Sequence, residues 1–236
     1  MASRTDNLVL VKGMRDTKTV FAQWNDDPWR VVGPWFAGSL AISLGLLACV
    51  LVVAAISTPD ATWMVLPGFG SAPPGEQVSF YLFRNGLVLA LHALACVAGF
   101  IAGSSMPAEA ERYTGVWRTI HDKAGPLAIA FVTAATIFSV VTQAWVLGGG
   151  LSTLAAQYDV SPPYLMLLLL PHALPELVAV FLPLAAWIIA SRRREWDQLL
   201  AATIVTVAFA VPMLVIAAFT EVYITPMILE RGLGLG

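Results

Sequence analysis

Apolar residues in this chain gather into five long runs joined by short polar connections. The first extends from about Trp35 to Ser57 without a charge, and the second from about Ser79 to Ser104, interrupted only by Arg84-Asn85 and His92. The third covers about Pro126 to Leu147, the fourth Pro163 to Ala190, and the fifth Leu199 to Thr225. Each exceeds the roughly 20 residues that a helix needs to cross about 30 Å of hydrocarbon. The pattern predicts an all-α polytopic membrane protein with about five transmembrane helices.

Ahead of the first run, residues 1–30 are polar and mixed in charge, with Phe21, Trp24 and Trp29 scattered among them. Asn25-Asp26-Asp27-Pro28 is a helix-start or turn signal. This stretch reads as a cytoplasmic N-terminal arm, either with one short interfacial helix or as a partly ordered tail. No leader is expected, since residues 1–30 contain no continuous apolar core. With neither internal repeats nor low-complexity segments, residues 31–236 read as a single helical membrane domain.

Basic residues in the connections set an orientation. Arg4, Lys12, Arg15, Lys18 and Arg30 precede the first span. Arg112, Arg118 and Lys123 lie between spans two and three, and Arg192-Arg193-Arg194 between four and five. Connections Thr58–Val78 and Gly148–Pro162 contain no basic residue. The expected arrangement therefore puts the N-terminus inside and the C-terminus outside. Tryptophans agree, with Trp35, Trp117, Trp187 and Trp196 at the inner boundary and Trp63 and Trp145 at the outer one. The proline- and glycine-bearing stretch Thr58–Val78 is expected to form an ordered cap on the membrane surface, and 148–162 a second, shorter outer loop.

Composition agrees with lipid as the solvent. Only 12% of the 236 residues are charged and 58% are hydrophobic, against about 25% charged in soluble domains; the mean hydropathy is +0.77. Cys49 and Cys96 sit in apolar runs without a metal-ligand or C-x-x-C spacing and read as inert. Basic clusters flank spans, so the positive-inside bias explains them without nucleic acid.

The fourth span carries the densest chemistry: four leucines lead into Pro171-His172-Ala173-Leu174-Pro175-Glu176 before apolar sequence resumes. At about 28 residues it is expected to be kinked or broken, with Pro171, Pro175 and Pro183 as the means; Pro212 is a further helix-breaking candidate in span five. His172 and Glu176, four apart, share a face if the helix survives Pro175. Asn85 and His92 share a face of span two, and Gly99 and Gly103 continue it as a Gly-x-x-x-Gly that permits close helix contact, with self-association or a partner helix as one use. Glu221 and Thr225 stand one turn apart in span five. Arg84, Glu176 and Glu221 are ionisable groups at membrane depth, where a lone charge costs at least about 2.5–3.5 kcal/mol. They are expected to form a buried polar cluster of Arg84, Asn85, His92, His172, Glu176, Glu221 and Thr225, with Arg84 bridging to Glu221 or Glu176.

Three readings of that cluster stay open: a device that pins span four to its neighbours, a working site for a proton, ion or small polar solute, and a hydrolase. Against the last, there is no H-E-x-x-H, no Ser or Cys has an evident base beside it, and two or three scattered ligands make a weak zinc signal. His121 reads as an exposed loop residue. No P-loop or dinucleotide fingerprint appears, so no cofactor, no metal and no catalytic residue is expected.

Phe83-Arg84-Asn85, the Pro171-His172-Ala173-Leu174-Pro175-Glu176 stretch and Glu221-Val222-Tyr223-Ile224-Thr225-Pro226 together resemble the stage II sporulation protein M family of integral membrane proteins. The family patterns are an F-x-N, a Pro-His-Gly followed by Glu, and a closing Glu-x-x-x-Thr-Pro. The resemblance extends from Ser79 to Pro226; the departures are Ala173 where glycine is common and Arg84 within the first pattern. It implies a non-catalytic scaffold or complex subunit in the bacterial cytoplasmic (inner) membrane, concerned with cell-envelope remodelling or transport. Implied partners, besides membrane lipids, are other membrane proteins: peptidoglycan-remodelling enzymes, an ABC-type transporter or a MoxR-like ATPase. A transport-related protein using the Arg/His/Glu cluster is the alternative, and homo-oligomerisation is compatible with either.

Overall fold

The computed structural model describes residues 9–61, 63–106 and 113–235; the side chains of 9–12, 104, 105, 121 and 122 are outside the description. All regular structure among the described residues is helical. Helix α1 spans Val9–Trp24, α2 Pro28–Ile56, α3 Pro74–Phe100, α4 Gly115–Gln157, α5 Pro162–Arg193, α6 Leu199–Phe219 and α7 Thr225–Leu233. Five helical segments are long and apolar enough to cross a membrane, as the five runs required. The chain is a polytopic helical membrane protein.

The third span differs most from expectation. α4 is 43 residues long, so residues 115–125 and 148–157, both read as connections, are helical, and His121 lies within a helix rather than a loop. Gly148-Gly149-Gly150 does not end the helix because its first glycine is a contact point. A Cβ on Gly148 would stand 2.9 Å from the Val50 carbonyl oxygen. Beyond it, Leu151, Leu154 and Ala155 are buried at helical spacing, which holds the extra turns in place. The helix ends where Asp159 turns left-handed, at φ 52°, and the Val160 N–H reaches back 2.9 Å to the Ala155 carbonyl.

The prolines leave their helices unbroken. α5 is one uninterrupted α-helix through Pro171, Pro175 and Pro183, and α6 continues through Pro212. No break forms, because the remaining backbone groups have no competing solvent in hydrocarbon and keep their helical partners. Helical regularity is lost elsewhere, in π-helical turns at Ile101–Ser105 and Thr220–Ile224.

Two compact units divide the chain, each taking part of every span. Unit one comprises residues 1–39, 89–136 and 181–209. Its core joins Val32, Trp35, Leu182, Ala186 and Ala202, with Trp24 and Ile189 at the margin; the Trp24 and Trp35 rings meet edge-on at 5.3 Å. α1 belongs to this unit and buries Thr17 and Val20. Here Gly99 stands against Trp187 and Leu199, and Gly103 against Trp196, with no room for a Cβ on either. These two glycines serve packing within the chain itself.

Unit two comprises residues 40–88, 137–180 and 210–236. Its long connection, 57–73, is tied to the last turns of α4. Gln157 accepts the Met64 N–H at 3.0 Å and donates to the Met64 carbonyl at 2.9 Å; Thr153 accepts the Asp60 N–H at 3.0 Å, and Ser152 donates to the Ser57 carbonyl at 3.2 Å. Leu66, within this connection, is 2% exposed. The described residues of 58–73 are thus anchored by the part of α4 that the sequence presents as a loop.

Candidate functional site

Unit two encloses a cavity of about 420 Å³. Its apolar wall includes Leu47, Val50, Met64, Leu151, Leu154 and Met166, and its polar wall is made by Tyr81, Arg84, His172, Glu176 and Glu221. Six stretches of the sequence supply these side chains: α2, the 57–73 segment, α3, the C-terminal half of α4, α5 and the turn after α6.

Each polar residue has a structural reason for its position. α3 brings Tyr81 and Arg84 to one face by their spacing of three, and the Arg84 guanidinium lies 5.9 Å from the Tyr81 ring centroid, a cation–π distance. α5 brings His172 and Glu176 to the cavity because the helix survives Pro175. Glu221 comes from the π turn Thr220–Ile224, which inserts an extra residue per turn and so rotates its side chains relative to those of α6. That turn is held by Val78, Ala218 and Val222, with Tyr81 and Leu82 packed against them.

Below the turn, His172 Nδ1 and Thr225 Oγ1 are 2.8 Å apart, both residues buried. The 57–73 segment closes on the same turn through Gly68. This glycine has φ +79°, and a Cβ on it would stand 2.8 Å from the Glu221 carbonyl oxygen and collide with Pro226. Only glycine meets both conditions, a left-handed backbone and direct contact with a neighbouring backbone.

Glu221 is 5% exposed, and its Oε2 has no hydrogen-bond partner. Tyr81 lies within polar reach of Glu221 and Asn85 within polar reach of Glu176, while Arg84 acts electrostatically on both carboxylates. Arg84 does not close a two-pronged bridge onto Glu221, since Oε2 is left over. Nor is it buried as expected: Arg84 is an exposed residue, its long apolar stem letting the charged head stay at the edge.

Six of the seven expected cluster residues, Arg84, Asn85, His172, Glu176, Glu221 and Thr225, belong to unit two. His92 belongs to unit one, where it is 1% exposed and its ring lies 5.3 Å from Phe181; it does not line the cavity. Tyr81 in the cavity wall and Gly68 against the Glu221 turn are not among the residues expected from sequence. The Tyr81–Arg84 spacing was a visible signal for the first, whereas Gly68 sat unmarked among several loop glycines. Among the described residues, no group of three or more His, Cys, Asp or Glu is disposed to hold a metal ion.

The family model described as Stage II sporulation protein M matches residues 124–226. No curated protein and no solved structure matches the chain. The matched segment contains the His172/Glu176 stretch and the Glu221-to-Pro226 ending, and excludes Phe83-Arg84-Asn85. Residues 124–226 are thus similar to the stage II sporulation protein M family.

Proposed function

We propose that the protein is a non-catalytic integral membrane subunit, a scaffold on which a larger complex of the bacterial cytoplasmic membrane assembles. The observation that carries this reading is the state of α4. Only 6% of its apolar stretch is buried, against 33–50% in the other four spans. Within unit two, Phe138, Val141 and Trp145 repeat along one exposed face at helical spacing. Nearby, Gln143 finds only Ser139 on its own helix, at 3.0 Å, although amide side chains in spans commonly bond across to another helix. A span this poorly covered by its own chain is suited to a neighbour. The family resemblance suggests peptidoglycan-remodelling enzymes, an ABC-type transporter or a MoxR-like ATPase as that neighbour, and a second copy of the chain would also fit.

A photo-crosslinking residue at Val141, compared with one at the exposed Val52 of α2, tests the reading in native membranes. Discrete protein adducts from position 141, identified after purification in mild detergent, are expected. Adducts to lipid alone at 141 would sink the scaffold role for this helix. The polar cavity favours a second reading, a transport-related subunit; neutral Glu176 and Glu221 variants that abolish flux from an assembled complex would support it.

A further inference from the structure

We infer that the unit-two cavity is a binding site for a small organic ammonium ion with an apolar body, whose cationic group is received by Glu221 Oε2. The inference concerns binding and holds whether or not the protein moves anything.

Charge is the first argument. The cavity wall carries two carboxylates, Glu176 and Glu221, and one guanidinium, Arg84. Arg84 stays at the exposed edge, while Glu221 is 95% buried by its 5% exposure. With His172 engaged by Thr225, two carboxyls share one guanidinium. A carboxyl buried this deeply is costly as a lone anion, so it stays neutral until a cation comes beside it, and an entering ammonium group is the partner that lets it ionise.

The second argument is the vacant acceptor. Glu221 Oε2 is an orphan in a cavity wall, on a π turn that Gly68 and the Val78 cluster hold rigidly. π turns of this kind recur at functional sites, where the extra residue re-aims a side chain.

Size and lining give the rest. At about 420 Å³ the space lies in the range of small-molecule pockets. Most of its lining side chains are aliphatic or thioether, among them Val50, Met64, Leu151 and Met166. That wall suits a hydrocarbon body and offers a bare inorganic cation few oxygen ligands.

The test uses three probes of similar size, benzylammonium, benzyl alcohol and benzoate, titrated calorimetrically against the full chain in lipid nanodiscs at constant ionic strength. Signals from empty nanodiscs are subtracted. Saturable benzylammonium binding is expected, with benzyl alcohol about tenfold weaker and benzoate weaker still, the ratio typical of losing one charge-assisted hydrogen bond. Glu221→Gln should weaken benzylammonium about tenfold and leave benzyl alcohol unchanged, whereas Glu230→Gln, at an exposed position on α7, should change neither. Equal binding of the three probes, a preference for benzoate, absence of saturable binding, or indifference to Glu221→Gln would each overturn the proposal. Should Glu221→Gln fail to assemble, the trio on the unsubstituted chain decides, together with Leu151→Trp, which fills the cavity without touching its charges and should abolish binding of the ammonium probe.

Discussion

Gln157 is the side chain on which the order of the 57–73 segment depends, and replacing it by alanine should release that segment without unfolding the bundle. The carboxamide serves both backbone groups of Met64, accepting from its N–H at 3.0 Å and donating to its carbonyl at 2.9 Å. Removing the amide leaves two part-buried backbone groups without these partners. At about 0.5–1.5 kcal/mol per hydrogen bond, the segment should lose roughly 1–3 kcal/mol of local stability. The remaining side-chain bonds hold its two ends, Thr153 and Ser152 at Asp60 and Ser57, and Gln77 at the Gly70 and Ala72 carbonyls. Native-state hydrogen exchange reads the effect directly. The Met64 amide should exchange about 5- to 150-fold faster in Gln157→Ala, while amides of α5 and α6 keep their protection. Gln157→Glu separates the two bonds, since a carboxylate still accepts from the N–H but repels the carbonyl, and it should weaken the segment by at least as much as the loss of one bond. Unchanged exchange at Met64 in Gln157→Ala would show that the segment is ordered by burial of Leu66 and not by this pair of bonds.

Gly68→Ala should destabilise the protein by about 1–2 kcal/mol from backbone conformation alone, and by more from contact with the Glu221 carbonyl and Pro226. Gly45→Ala, in a helix with nothing within 4 Å of the new methyl, should be neutral or stabilising, and thermal unfolding in detergent compares the two. Thr225→Val leaves buried His172 without its hydroxyl partner and should cost about 1–3 kcal/mol, read as a lowered midpoint in the same assay. Gly103→Leu should prevent unit one from packing at Trp196, seen as loss of the monodisperse peak on size exclusion. Single cysteines at Ser161 and Ser191 in a chain cleared of Cys49 and Cys96 should label from opposite sides of the membrane, Ser161 from outside; labelling of Ser161 from the cytoplasm alone would reverse the expected orientation.

The parts of this molecule that were legible in the sequence are those set by hydrophobic run length and by residue identity. Five spans follow from five runs because hydrocarbon thickness imposes a minimum on each. Six cluster residues could be gathered from their cost at membrane depth, since a polar group there needs company. Geometry that depends on tertiary contact was hidden. Gly148-Gly149-Gly150 reads as a breaker because glycine disfavours helix in isolation, and only the Val50 backbone opposite Gly148 shows that glycine is there for close approach. The prolines of α5 read as kinks or breaks, and the break at least does not form, because local propensity is overridden by the bundle.

His92 and Glu221 show the two ways in which helical arithmetic fails at a site. His92 is seven residues from Asn85, so the two share a helix face, yet Asn85 belongs to unit two and His92 packs on Phe181 in unit one. A shared face guarantees a direction and not a common neighbour. Glu221 fails differently, since counting 3.6 residues per turn along span five mis-aims it once the π turn Thr220–Ile224 intervenes. No residue in Thr-Glu-Val-Tyr-Ile announces that turn. Its closest cause in the sequence is Pro226, whose missing N–H removes one i→i−4 bond just beyond it, and Gly68 then fits against the displaced Glu221 carbonyl. The Glu-x-x-x-Thr-Pro ending is thus best understood as one device: proline loosens the helix, the widened turn presents the glutamate to the cavity, and the threonine secures the turn to His172.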